Sequence, residues 1–200
     1  MSGHAIVNLP NFLTVLRIAL TPLFLVMLFA ETWYGKVLAF LVFGAASLTD
    51  FYDGRLARAG NQVTAFGRFL DPLADKILVT SALVAFAFNR MVDLWLVIPI
   101  VVRDVWITGL RVYGLWRGRQ MVTSRLAKWK TAVQLFTVVF LLFIIGLREA
   151  LLRFGGDENF FLDETRLQFL ANGLMAAVLL LTVLSGLHYL FRASFSCKES

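Results

Sequence analysis

Asp50 and Asp53 stand three residues apart and Asp71 and Asp75 four apart, inside the runs Asp50-Phe-Tyr-Asp53-Gly54-Arg55-Leu-Ala57-Arg58 and Gly67-Arg68-Phe-Leu-Asp71-Pro-Leu-Ala-Asp75-Lys76. On helices these spacings put each pair on one face. Two such pairs, at the ends of neighbouring antiparallel helices, can converge on one spot, where four carboxylates repel unless cations or protons compensate. Oxygen donors without His or Cys nearby favour hard cations, Mg²⁺ or Mn²⁺, and four carboxylates can bridge two of them. A two-metal site of that kind suits displacement at phosphorus. Gly54 and Gly67 have no Cβ to exclude a ligand, and Arg58 can hold a phosphate through charge-assisted hydrogen bonds. A plainer reading makes the acids capping or loop carboxylates paired with Arg55, Arg58, Arg68 and Lys76. That serves for any one of them, but four at these spacings beside glycines favour the metal site.

The elements carrying these residues follow from composition. Of 200 residues, 59% are hydrophobic and 16% charged, too apolar for an ordinary soluble domain and incompatible with a disordered or collagenous chain. The single cysteine, Cys197, supports neither a disulfide framework nor a zinc site. Charge-free runs at 131–147 and 167–191 approach or exceed the span of a hydrocarbon core, while shorter runs reach it only by continuing through charged flanks. Ionisable groups inside such segments face an interior or a wet cavity and mark function. Six helices are predicted at about 11–31, 36–58, 67–90, 93–117, 124–148 and 166–192. Leu9-Pro10-Asn11 reads as a turn with Asn11 as N-cap, so a short interfacial helix is expected to lead into the first span. Nothing at the start reads as a cleaved signal, since no Lys or Arg precedes Arg17. The predicted fold is therefore all-α: a polytopic membrane protein with a six-transmembrane-helix bundle, forming one domain over 1–200.

Basic residues orient this bundle. Eleven lie in 54–70, 111–130 and the tail, against five on the other side (Lys36, Arg90, Arg148, Arg153, Arg166), so both termini and the aspartate cluster are expected to be cytoplasmic. The acidic loop 149–165, with a turn at Gly155-Gly156-Asp157, then faces outward. Trp33, Trp95, Trp116 and Trp129 fall near the proposed interfaces.

The pattern Asp50-x2-Asp53-Gly54-x2-Ala57-Arg58-x8-Gly67-x3-Asp71-x3-Asp75 resembles the full signature of the CDP-alcohol phosphatidyltransferases, with all eight fixed positions present. The resemblance implies that Asp50, Asp53, Asp71 and Asp75 hold two divalent metal ions, Mg or Mn. It implies that Asp50, Asp53, Gly54, Ala57, Arg58 and Gly67 surround the CDP moiety and that Asp75 is the catalytic base. Leu9-Pro10-Asn11-Phe-Leu-Thr14-x2-Arg17-Ile18 is similar to the branch that makes phosphatidylglycerophosphate and to its cardiolipin synthase relatives. Arg103 with Thr108-Gly109-Leu110-Arg111, and Lys128-x-Lys130-Thr131-x2-Gln134, resemble later motifs of the former branch.

That branch transfers a phosphatidyl group from CDP-diacylglycerol to glycerol 3-phosphate, releasing CMP. An anionic acceptor needs a cationic pocket, for which Arg103, Arg111, Lys128 and Lys130 are the candidates. There are departures: Asp104 stands where Glu is usual, Val112 where many have an acid, and Ala127 where Gly is expected. An Arg-Asp pair and Thr-Ala-Val-Gln-Leu also occur in cardiolipin synthases of this fold. Phosphatidylglycerol, inositol phosphate and serine therefore stay open as acceptors. From a different class, a metal-ion transporter would use the aspartates as a selectivity ring; it would want them at mid-membrane and away from arginines. A lipid-binding scaffold without turnover is a further alternative. The expected partners are CDP-diacylglycerol, glycerol 3-phosphate and membrane phospholipids, with no nucleic acid. The resemblance implies a homodimer in the cytoplasmic (inner) membrane, and Gly173 and Ala177 form a small-residue pair suited to close helix packing.

Overall fold

The computed structural model describes residues 9–60, 65–117, 125–154 and 163–196, with side chains described for 13–49, 73–74, 76–110, 112–114, 116–117, 126–154 and 163–187. Six helices follow in order among them: α1 (Leu9–Phe29), α2 (Trp33–Gly60), α3 (Ala65–Phe88), α4 (Leu94–Trp116), α5 (Arg125–Arg153) and α6 (Glu164–Ser196). No strand occurs among the described residues. Two stretches, Leu126–Arg153 and Glu164–Leu187, are long and apolar enough to cross a membrane.

Helix ends depart from the sequence reading in two places. α1 starts at Leu9, so Asn11 lies inside the helix and is not its cap. Pro10 fits the first turn because the N–H it lacks is one that a helix start leaves unpaired anyway. The interfacial helix expected before it falls outside the described residues. α5 runs to Arg153, five residues past its expected end, through a segment whose leucines prolong the apolar pattern and whose Arg153 suits the negative end of the helix dipole. The expected Gly155-Gly156-Asp157 turn also lies outside the described residues.

The chain divides into two compact units, Met1–Ala85 with Leu142–Asp157 and Phe86–Leu141 with Glu158–Ser200. In the first, α1 packs on α2. Phe24, Leu28, Ala39, Phe43 and Ala46 are buried, and the Phe24 and Phe43 rings meet at 5.3 Å, tilted by 57°. The turn between α1 and α2 is tight: a Cβ on Gly35 would stand 2.8 Å from Thr32 Oγ1 and 3.0 Å from the Met27 carbonyl. Lys36 Nζ donates to the Leu28 carbonyl, one of those the end of α1 leaves without a helical partner. Pro22 sits mid-helix, and Thr21 Oγ1 donates to the Arg17 carbonyl at 3.0 Å one turn back.

In the second unit α4 packs on α6. Two links fix their relation. Asp93 N–H donates to Asn172 Oδ1 at 2.9 Å and Asn172 Nδ2 to Asp93 Oδ2 at 3.0 Å, while further along Arg103 Nη2 donates to Ser185 Oγ at 2.8 Å. Ten residues of α4 and thirteen of α6 separate the links, about 15 and 20 Å at helical rise, so these two helices run parallel. α4 is apolar on its exposed face (Leu94, Trp95, Ile98, Val102, Val105, Trp106) while Asp104 and Thr108 are buried. Polar inside and apolar outside is the reverse of a water-facing helix.

α3 ends in a Schellman motif: Met91 N–H donates to the Phe86 carbonyl at 3.0 Å and Arg90 N–H to that of Ala87 at 3.1 Å. Arg90 holds the left-handed position, with φ of 55°, where glycine is usual.

Candidate functional site

The backbone carries the signature on two successive helices. Asp50, Asp53, Gly54, Ala57 and Arg58 lie in the second half of α2, and Gly67, Asp71 and Asp75 in the first half of α3. Four residues separate the helices, so Gly60 and Ala65 are within about 18 Å of each other. Along α2 the positions 39, 43, 46, 50, 53 and 57 form one helical row, and Ala39, Phe43 and Ala46, its described members, are all buried. Along α3 the row 71, 75, 78, 82 ends in buried Leu78 and Ala82. The acidic positions thus continue the inward rows of both helices. Side chains of all eight signature residues lie outside the described residues. The four aspartates among them offer only carboxylate oxygens, which fits a hard divalent cation.

Arg17 is buried on α1 in the same unit, with Thr14 and Thr21 also buried one turn to either side. A cation placed so deep in an apolar helix marks function. The sequence places it within the first predicted helix and in the Leu9–Ile18 motif without giving it a role.

The second unit gathers polar groups at one end of its interior. Lys130 Nζ on α5 donates to both carboxylate oxygens of Asp104 on α4 and, at 2.6 Å, to Gln134 Oε1 one turn along its own helix. Arg103 Nη1 donates to Asp104 Oδ1 at 3.2 Å, and its Nη2 to Ser185 on α6. Ser185 Oγ donates in turn to the Thr182 carbonyl at 3.0 Å. Lys130 and Asp104 have side-chain exposures of 0% and 3%, whereas Arg103 keeps 20%. Thr108 and Thr137 extend this polar lining, while Ile100, Leu141 and Val178 close the apolar part of the interior.

Of the four basic residues singled out by sequence, Arg103 and Lys130 therefore meet through one carboxylate. Lys128 is exposed, two residues and more than half a helical turn from Lys130. Arg111 lies on α4 in the row of Ile100, Asp104 and Thr108, with its side chain outside the described residues. Sequence reasoning gave no role to Asp104, Gln134 or Ser185. Asp104 carried a usable signal, an acid beside an arginine in an apolar run. Ser185 carried none, because a serine in an apolar helix is ordinary.

Residues 7–184 match the CDP-alcohol phosphatidyltransferase family. The chain is 39% identical over 147 residues to the CDP-diacylglycerol–glycerol-3-phosphate 3-phosphatidyltransferase of Bacillus subtilis, covering 68% of this chain and 76% of that protein. It is 36% identical over 197 residues to a probable phosphatidylglycerophosphate synthase of Mycobacterium tuberculosis, covering 96% and 85% respectively. A Rickettsia bellii protein named as a CDP-diacylglycerol–glycerol-3-phosphate 3-phosphatidyltransferase shares 38% over 131 residues, 66% of this chain and 72% of its own. With the whole signature carried on α2 and α3 and the family match extending over residues 7–184, the chain belongs to the CDP-alcohol phosphatidyltransferase family.

Proposed function

We propose that this protein transfers the phosphatidyl group of CDP-diacylglycerol to glycerol 3-phosphate, giving phosphatidylglycerophosphate and CMP in phospholipid biosynthesis. The observation that carries this reading is the uninterrupted signature on two successive helices separated by four residues. Similarity to a protein named for that product reaches 96% of the chain, and proteins named for that acceptor match 68% and 66% of it.

Each residue type has a physical task in such a transfer. Asp50, Asp53, Asp71 and Asp75 would hold two divalent cations, Mg²⁺ or Mn²⁺, which supply the positive charge that offsets the diphosphate. Gly54, Ala57 and Gly67, having small or no side chains, leave room for the cytidine diphosphate, and Arg58 donates to its phosphate oxygens. Asp75 takes the proton from the acceptor hydroxyl as that oxygen attacks the β-phosphorus and CMP leaves. Arg103, Arg111, Lys128 and Lys130 supply positive charge for the acceptor's own phosphate.

We read the chain as one catalytic domain with six membrane spans in a bacterial inner membrane, both termini and the active site cytoplasmic. The apolar exposed face of α4 supports a span there, although among the described residues only two stretches pass on length and hydropathy. Trp95, Trp116 and Trp129 are exposed, as an interfacial belt requires. A homodimer is expected as well. Gly173 and Ala177 are exposed on α6, with no atom within 4 Å of a Cβ built on Gly173, which would allow close approach of a second helix.

The test is CMP release by purified protein with CDP-diacylglycerol and Mg²⁺ or Mn²⁺, offered glycerol 3-phosphate, phosphatidylglycerol, serine or inositol phosphate in turn. Turnover with glycerol 3-phosphate alone is expected. Turnover only with another acceptor would overturn the acceptor assignment, and none with any would overturn the enzyme.

A further inference from the structure

We infer that Asp104 is a positioning residue for the acceptor phosphate: clamped by Lys130, its carboxylate holds the Arg103 guanidinium in place, and Arg103 is the member of this cluster that touches the ligand. The inference rests on the glycerol 3-phosphate reading and divides its cationic set by role.

Two observations lead to it. The first is hydrogen-bond capacity. An ammonium has three N–H donors, and Lys130 faces three acceptor oxygens, two from Asp104 and one from Gln134, so its donors are matched within the protein. Arg103 differs: Nη1 and Nη2 each have a partner, but its buried Nε has no hydrogen-bond partner. A guanidinium offers five donors, so Arg103 retains capacity for an oxyanion. The second is access. Lys130 has a fully buried side chain, whereas Arg103 keeps 20% of its surface.

The clamp also explains the need for Asp104. An arginine free to change rotamer must be ordered when the ligand arrives, whereas one held by Asp104 and by Ser185 from a third helix is ordered beforehand. Lys130 then keeps Asp104 oriented, acting through it.

The test is a double-mutant cycle on the full-length protein in lipid–detergent micelles, using Asp104→Asn, Lys130→Met and the pair together, with each substrate varied in turn. Each single change is expected to raise KM for glycerol 3-phosphate about tenfold, leaving KM for CDP-diacylglycerol within about twofold. The double variant should be no worse than the worse single, because both substitutions remove the same clamp. Asp104→Glu, which keeps the charge, should recover most of the loss. Multiplied effects, about a hundredfold in the double variant, would mean that Lys130 contacts the ligand itself and would overturn the inference. So would a normal KM for Asp104→Asn.

If the single variants do not fold, Ser185→Ala decides. It removes one Arg103 anchor from α6 and should raise the same KM about threefold, and no change there would refute the positioning role. The wild-type arm separates the two readings: turnover with an acceptor other than glycerol 3-phosphate refutes the proposed substrate, and the cycle is then scored on the KM of the acceptor that reacts.

Discussion

Replacing Asn172 with alanine removes both hydrogen bonds that tie the start of α4 to α6, the Asp93 N–H to Oδ1 at 2.9 Å and Nδ2 to Asp93 Oδ2 at 3.0 Å. One of the two is charge-assisted, which in water-soluble proteins is worth about 1.5–3 kcal/mol, but interhelical hydrogen bonds measured in membrane proteins average about 0.6 kcal/mol. The pair is part-buried at a helix end, where water can replace some of what is lost. A loss of about 1–2 kcal/mol follows, or about 2–8 °C in Tm for a chain of this size. α4 keeps its N-terminus, because the Asp93 carbonyl still accepts from Leu96 N–H and its Oδ2 from Trp95 Nε1. Asn172→Asp makes a sharper test: it preserves an acceptor for the Asp93 N–H but sets two carboxylates against each other. At neutral pH it should therefore be the less stable of the two variants, and the gap should close as acid protonates one carboxylate. Thermal unfolding in detergent, followed by tryptophan fluorescence across pH, measures this. Should Asn172→Ala melt within about 1 °C of wild type, or Asn172→Asp prove the more stable at neutral pH, the link between α4 and α6 would not be the one described.

Asp71→Asn should lower CMP release by at least about a hundredfold with an unchanged melting curve of the metal-free protein, and chelation should abolish wild-type turnover until Mg²⁺ or Mn²⁺ is restored. Near-normal turnover of that variant would remove the two-metal argument. Arg90→Gly relieves a left-handed φ of 55° and should stabilise the protein by about 1 kcal/mol, read as a higher Tm. Gly35→Ala forces a Cβ against Thr32, Ala30 and the Met27 carbonyl, so it should destabilise by about 1–3 kcal/mol, seen as a lower Tm.

Helix positions were legible because their signals are local. The apolar runs predicted six helices, and all six occur, most ends within four residues of expectation. The start of α1 was misread because Leu9-Pro10-Asn11 suits a turn as well as a first helical turn, and only the path of the following chain distinguishes them. The end of α5 ran long because Glu149 reads as the start of an acidic outer loop, whereas Leu151 and Leu152 prolong the apolar helix to Arg153.

By itself the sequence determined the chemistry. Four carboxylates at helical spacings beside glycines lead to the proposed hard-cation, phosphorus-directed site because ligand type and register are properties of a single short segment. What it left undecided among Arg103, Arg111, Lys128 and Lys130 is a matter of burial and partnership. Lys128 and Lys130 are equivalent cations in the sequence, yet two residues on a helix differ by about 200° in direction, so one is exposed and the other buried against Asp104. Asp104 finds Lys130 across 26 residues and Arg103 finds Ser185 across 82. Contacts at such separations come from how helices pack, which is why only the tertiary structure decided which cation is held in the interior and which retains donors for a ligand.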